Sequence, residues 1–349
     1  MAKQLRRTVD TQFFLNQAIS LYRAWVSHIL RETRILQVLK KSGSLDTHGL
    51  SIKLGFNASA LNTLCEAAYA LGVLELSHNG EWQVKDKVYE LLVSSNSKSY
   101  VGGTLSYVCL RSLDLTHFID LLKGKNFRSN SLLKPFKYAT EWDHTVFFDH
   151  YLSRNPGVKK ILMRGAKVLD VGCGDGSWAI RLAKLFPNCE LVGLEPSEEA
   201  RMEAVKKVLR NRLDRRAKII SLSIEELTRK SEFDLCYMGE MLYSLKDKRE
   251  ALARVYESLK AEGVLLIQEG LLPDETRLLR RKEFVLGAAE QLDFLLQGAK
   301  FMRKKEVGRL LTEAGFRAAT PLHLGGGVYI IQTKKLGKSA GHSSTTHSH

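Results

Sequence analysis

Val168-Leu169-Asp170-Val171-Gly172-Cys173-Gly174-Asp175-Gly176-Ser177 reads as an apolar strand closing on an acid, three glycines in alternation, and the start of a helix. Such a turn lays bare backbone against a ligand. Glycine takes positive φ and has no Cβ, so main-chain amides and the helix N-terminus can reach polar ligand groups. Outward from this stretch, the chain from Gly165 alternates short apolar strands with helices, the pattern of an α/β parallel sheet with helices on both faces. Strands are expected near Lys167–Val171, Glu190–Glu195, Lys218–Leu222, Phe233–Met238, Gly263–Glu269, Arg317–Leu322 and Val328–Thr333, making a seven-stranded sheet. The glycine turn then falls at the carboxyl end of the first strand, where doubly wound sheets bind their ligands. The second strand ends in Gly193-Leu194-Glu195, and an acid there accepts hydrogen bonds from both hydroxyls of a ribose. Together these features specify a nucleoside. A nicotinamide fingerprint needs GxGxxG, but here the third glycine comes one place early and Ser177 stands where that pattern needs glycine, so NAD is disfavoured.

The N-terminal third has a different texture. Phe13 to Lys40 carries Ile19, Tyr22, Val26, Ile29, Leu30, Ile35, Leu36 and Leu39 at helical spacing, which predicts one buried face. Two short helical segments follow around Gly55-Phe56-Asn57, with Asn57 placed to cap the second and Gly72 to end it. Val73–Leu76 and Glu81–Val84 flank a His78-Asn79-Gly80 turn and read as a hairpin, so the whole is expected to form a winged helix. The domain plan is therefore 1–100 winged-helix-like, 101–164 a helical connector covering the site, 165–335 the ligand-binding α/β domain and 336–349 a disordered Ser/Thr/Gly/His tail.

The 349 residues hold 53 basic and 38 acidic side chains, a formal charge of +15, which raises the question of an anionic partner. The distribution answers it. Arg201 to Lys218 holds eight Lys/Arg against two acids and fits a helix with a solvated outer face, whereas Leu54 to Val84, the expected recognition helix and wing, has no Lys or Arg. Nucleic-acid recognition needs cations at that place, so it is disfavoured. Five cysteines, widely spaced and without a CxxC pair, indicate neither a disulfide framework nor a structural zinc site, and no metal is expected. The tail histidines His342, His347 and His349 lack fixed geometry for one. With neither a signal-peptide pattern nor a long uncharged apolar run, the expectation is a cytoplasmic protein with no membrane segment.

The pattern DxGxGxG with an acid about twenty residues on resembles motif I and the second-strand acid of class I S-adenosylmethionine (SAM) dependent methyltransferases. The resemblance covers nearly the whole chain. The winged-helix-like start, the run Gly263 to Asp274, and Leu292-Asp293-Phe294 through Phe316 are similar to the small-molecule O-methyltransferases typified by plant caffeate and bacterial polyketide enzymes. The resemblance implies a Rossmann-like SAM domain, SAM as cofactor, a small aromatic or polyketide-like methyl acceptor, and a homodimer formed through the N-terminal domain. Carried onto this chain, Asp170, Gly172 and Gly174 would hold the methionine part of SAM, Glu195 the ribose, and Ser223 with Ile224 the adenine edge, the last pair departing from the family's usual acid. Gly176, Pro196 and Met238 complete the candidate cofactor set.

Methyl transfer from a sulfonium is an in-line displacement in which alignment and exclusion of water matter most. The plant enzymes add a histidine base after the fourth strand, and at that place this chain has Tyr243. Four residues are candidate replacements: Glu240, which also reads as a solvated loop carboxylate; Tyr243, which also reads as packing; and His144 and His150, which also read as surface residues. Phe147, Phe148, Phe294 and Met302 read either as an apolar acceptor pocket or as core. Catalysis by proximity, C-methylation without a base, an RNA-methylating protein and a SAM-binding protein without activity stay open as alternatives.

Overall fold

The protein was described as a computed structural model covering residues 11–97, 99–125, 133–325 and 327–335. The tail 336–349, with its three histidines, lies outside the described residues. The described residues divide into two compact units: those of Met1–Thr116 with Lys134–Val146, and those of His117–Leu133 with Phe147–His349. The connector expected over 101–164 is thus not one body, because its helices are shared between the two units.

The first unit contains α1 (Thr11–Glu32), α2 (Ile35–Ser42), α3 (Thr47–Leu54), α4 (Ala58–Ala70), the strands β1 (Glu75–Leu76) and β2 (Trp82–Gln83), α5 (Asp86–Leu92) and α6 (Gly102–Ser112). After α7 (Phe118–Leu122), which belongs to the second unit, α8 (Leu133–Thr145) returns almost wholly to the first. Asp46 caps α3 by accepting from Gly49 N at 2.7 Å, and Asn57 caps α4 by accepting from Ala60 N at 2.9 Å, which places the turn between the two helices. β1 and β2 pair antiparallel, and Leu45 bridges to Trp82, so α3, α4 and a two-stranded hairpin follow one another. Leu30, Ile35, Leu36, Leu39, Leu50 and Leu74 are fully enclosed in this unit's core. The buried face expected along α1 holds only for its second half. Val26 and Leu30 are buried, but Ile19 and Tyr22 in the first half are 41% and 69% exposed, and Ile29, off the buried stripe, is 38% exposed. Arg31 ties α1 to α8, donating to Glu141 Oε2 at 2.6 Å and to the Tyr100 hydroxyl at 2.8 Å.

The second unit is the sheet and its helices: α9 (Pro156–Met163), β3 (Lys167–Val171), α10 (Ser177–Leu185), β4 (Glu190–Leu194), α11 (Glu198–Arg210), β5 (Ala217–Ile220), β6 (Phe233–Gly239), α12 (Lys248–Ser258), β7 (Leu259–Leu272), α13 (Lys282–Leu296), β8 (Met302–Arg303), α14 (Lys304–Glu313), β9 (Leu322–Gly325) and β10 (Val328–Lys334). The order across the sheet is β5-β4-β3-β6-β7-β10-β9, with β10 antiparallel to both neighbours and the short β8 pairing parallel with the end of β7. The seven expected strands are therefore joined by an eighth, two-residue pairing. The strand expected at Arg317–Leu322 is shifted. Pro321 has no N–H to give a ladder, so β9 begins after it, and Arg317 meets β10 outside a strand, its N–H donating to Lys334 O at 3.0 Å and its carbonyl accepting from Thr333 Oγ1 at 2.6 Å. The strand order reverses at β3, which has β4 on one side and β6 on the other, and this opens a crevice at the carboxyl ends of these strands.

Candidate functional site

The glycine turn after β3 is folded back onto β4. Gly172 N and Cys173 N both donate to Leu194 O, at 2.9 and 3.0 Å, and Gly174 N donates to Glu195 Oε2 at 2.9 Å. Glu195 also accepts from Ser197 N at 2.8 Å and is 8% exposed, so one carboxylate holds both the glycine turn and the entry to α11. Cys173 points down onto Gly193, where an added Cβ would come within 2.7 Å of its Sγ. The bare strand-end glycine is what lets the turn close.

The three turn glycines differ in purpose. All have positive φ, but a Cβ on Gly174 would meet nothing within 4 Å, whereas one on Gly176 would sit 3.0 Å from Ala204 Cβ. Gly174 thus borders open space, and Gly176 lets α10 approach α11. Asp175 reinforces that contact: it accepts from Ser177 N at 3.0 Å and pairs with Lys207, whose Nζ also donates to Ser177 Oγ at 2.9 Å. Burial opposes the charge on Asp175, but these partners win and hold its carboxyl below the usual range.

Asp170, at the end of β3, lies in register with Gly193 on one side and Tyr237 on the other. It is 2% exposed, and its Oδ2 has no hydrogen-bond partner among the described residues. Burial, with the Glu195 carboxylate nearby, pushes its carboxyl up to about 8. A buried orphan oxygen, open space beside Gly174 and a second acid within reach form an acceptor-rich cradle. It suits a ligand bearing cationic and hydroxyl donors, and SAM has both an ammonium and a ribose diol.

The remaining cofactor candidates surround this cradle unevenly. Met238 is fully buried in β6 opposite Val171, and Pro196 is exposed just after Glu195. Ile224 is buried, while Ser223 is occupied in a capping box with Glu226, its N–H donating to Glu226 Oε2 at 2.9 Å.

Beyond β6 the chain passes through Glu240, whose φ of 50° is left-handed and whose N–H donates to Gln268 O at 2.8 Å. Tyr243 is 5% exposed, with its ring edge-to-face against Phe294 at 4.9 Å and Phe301 at 5.6 Å, so its aromatic body is packing. His144 belongs to α8 in the first unit and His150 to the turn after it in the second, each half-buried. Phe147 and Phe148 are core: they pack on Trp178, and Phe147 also meets Tyr237, which stacks on Trp178 at 3.9 Å. Phe294 and Met302 are likewise enclosed, Met302 by its pairing with Leu271.

Sequence reasoning missed Glu269. It stands fully buried near the end of β7 and accepts from Met241 N at 3.0 Å, from Leu242 N, and from Tyr243 N at 3.3 Å. Burial pushes its carboxyl up, to about 8, while those three donors pull the other way. An acid interrupting the apolar run Val264–Leu272 was the available signal.

The family model that matches is described as a methyltransferase domain and spans residues 142–320, just over half of the chain. A putative O-methyltransferase from Nostoc punctiforme has a similar fold, with a TM-score of 0.70, 17% identity, and coverage of 94% of this chain and 100% of that one. Human N-acetylserotonin methyltransferase, solved with SAM, gives a TM-score of 0.66, 18% identity, and coverage of 94% and 99%. In sequence, a tRNA U34 carboxymethyltransferase from Aliivibrio salmonicida is 26% identical over 234 residues, covering 60% of this chain and 69% of that protein. The glycine turn, its acids and the sheet order therefore have one common explanation: the chain belongs to the methyltransferase-domain family.

Proposed function

We propose that this methyltransferase uses SAM and transfers its methyl group to a small acceptor molecule, on oxygen. One observation supports the small-acceptor reading: the likeness in fold to a putative O-methyltransferase and to N-acetylserotonin methyltransferase runs through 94% of the chain. In the site, Asp170 would hold the methionine end, with the bare backbone of Gly172 and Gly174 against it, and Glu195 the ribose. Met238, Pro196, Ser223 and Ile224 would border the nucleoside. When bound, SAM supplies an electrophilic methyl, so the chain's own residues need only align the acceptor and exclude water. Glu240 is the carboxylate that β6 delivers at its end, and in this reading it takes the proton of the acceptor hydroxyl. The N-terminal unit's exposed Phe13, Phe14, Leu15, Leu21 and Tyr22 on α1 support a homodimer.

A second reading, transfer to RNA, is favoured by the tRNA-modifying relative. Against it stands the absence of Lys and Arg from Leu54 to Val84. Incubation with methyl-tritiated SAM separates the two, using a panel of phenols and polyketide-like hydroxyl compounds on one side and bulk tRNA on the other. Label in a small molecule is expected. Label in tRNA alone would overturn the proposal.

A further inference from the structure

The segment after β6 has little regular structure to hold it. It runs from Glu240 in left-handed φ through Met241 into the single turn Leu242–Ser244. Its three consecutive N–H groups, those of Met241, Leu242 and Tyr243, converge instead on the two oxygens of Glu269 from the neighbouring strand. A carboxylate buried to 1% exposure is costly unless donors meet it, and donors at the start of a turn do so. The same segment touches the glycine turn and an aromatic cluster on α13. Met241's side chain lies 3.3 Å from where a Cβ on Gly172 would stand, and Tyr243's ring meets Phe294 of α13.

We propose that Glu269 is a positioning residue: its carboxyl group fixes residues 241–243 and through them couples the cofactor turn at Gly172 to the aromatic cluster of Tyr243, Phe294 and Phe301. The proposal rests on the SAM reading above. Glu269→Gln is the informative variant, because the amide keeps volume and one acceptor oxygen but sets its NH2 against a backbone N–H. Methionine methyls carry the readout. The chain has six, among them Met241, so ¹³C-methyl labelling with Met241→Leu for assignment isolates its resonance. In the wild type, S-adenosylhomocysteine should shift the Met241 signal. In Glu269→Gln, folded by circular dichroism, the free-state signal should move or broaden, and affinity for S-adenosylhomocysteine should fall roughly tenfold, as expected when buried backbone donors lose an acceptor. Met241→Ala, which leaves Glu269 intact, should reproduce the affinity loss. A folded Glu269→Gln with wild-type affinity and an unmoved Met241 signal overturns the proposal, as does wild-type affinity in Met241→Ala if Glu269→Gln does not fold. A wild type that binds no S-adenosylhomocysteine sinks the cofactor reading itself, and the coupling with it.

Discussion

Replacing Gly174 and Gly176 by alanine separates a ligand-facing glycine from a packing glycine two residues away. Both have positive φ, 54° and 73°, so alanine costs each about 1–2 kcal/mol in backbone strain. At Gly174 the cost ends there, since the new methyl meets nothing within 4 Å. At Gly176 the methyl lies 3.0 Å from Ala204 Cβ and 3.3 Å from its Cα, so α10 and α11 must part, and overpacking adds about 1–3 kcal/mol. In a unit of this size each kcal/mol lowers Tm by roughly 2–4 °C. Scanning calorimetry without ligand should therefore show Gly176→Ala melting well below Gly174→Ala. Titration with SAM should show the reverse hierarchy: the Gly174 methyl intrudes on the ligand's space and should weaken binding roughly ten- to a hundredfold. A Gly174→Ala protein that binds SAM as tightly as the wild type would refute the assignment of that open space to the cofactor.

Other predictions follow from the same geometry. Glu195→Ala removes the proposed ribose acceptor and frees Gly174 N, so SAM affinity should fall by about a hundredfold in titration calorimetry while the chain stays folded. Asp170, raised to about 8, binds a proton in the folded state that the unfolded chain has lost above about pH 4, so stability should fall as pH rises through that window. A cationic ligand favours its ionised form, so SAM affinity should strengthen from pH 6 to about 8 with proton release, read as a buffer-dependent heat of binding. Tyr243→Ala removes both ring contacts and should cost roughly 3 kcal/mol by denaturant titration.

What was legible in the sequence was what is local. The acid-glycine turn, Asp170 and Glu195 lie in one βαβ stretch whose spacing alone specifies the geometry, and the Asn57 cap is set by its own neighbours. What escaped depends on residues distant in the chain. Gly176 answers to Ala204, Gly193 to Cys173, and Glu269 to amides 26 to 28 positions away, so no window of sequence displays their partners. Phe147 and Phe148 read equally as pocket or core until Trp178 and Tyr237 are seen against them. On α1, apolar spacing reports that a face wants cover without saying how much of it the same unit supplies.

The central claim is that the cradle formed by Asp170, the glycine turn and Glu195 holds SAM. Isothermal titration of the wild-type protein with SAM tests it directly. Saturable binding of one SAM per chain, accompanied by a rise in Tm, is the result expected. No heat of binding and no change in Tm at millimolar SAM, in a folded protein, would contradict it.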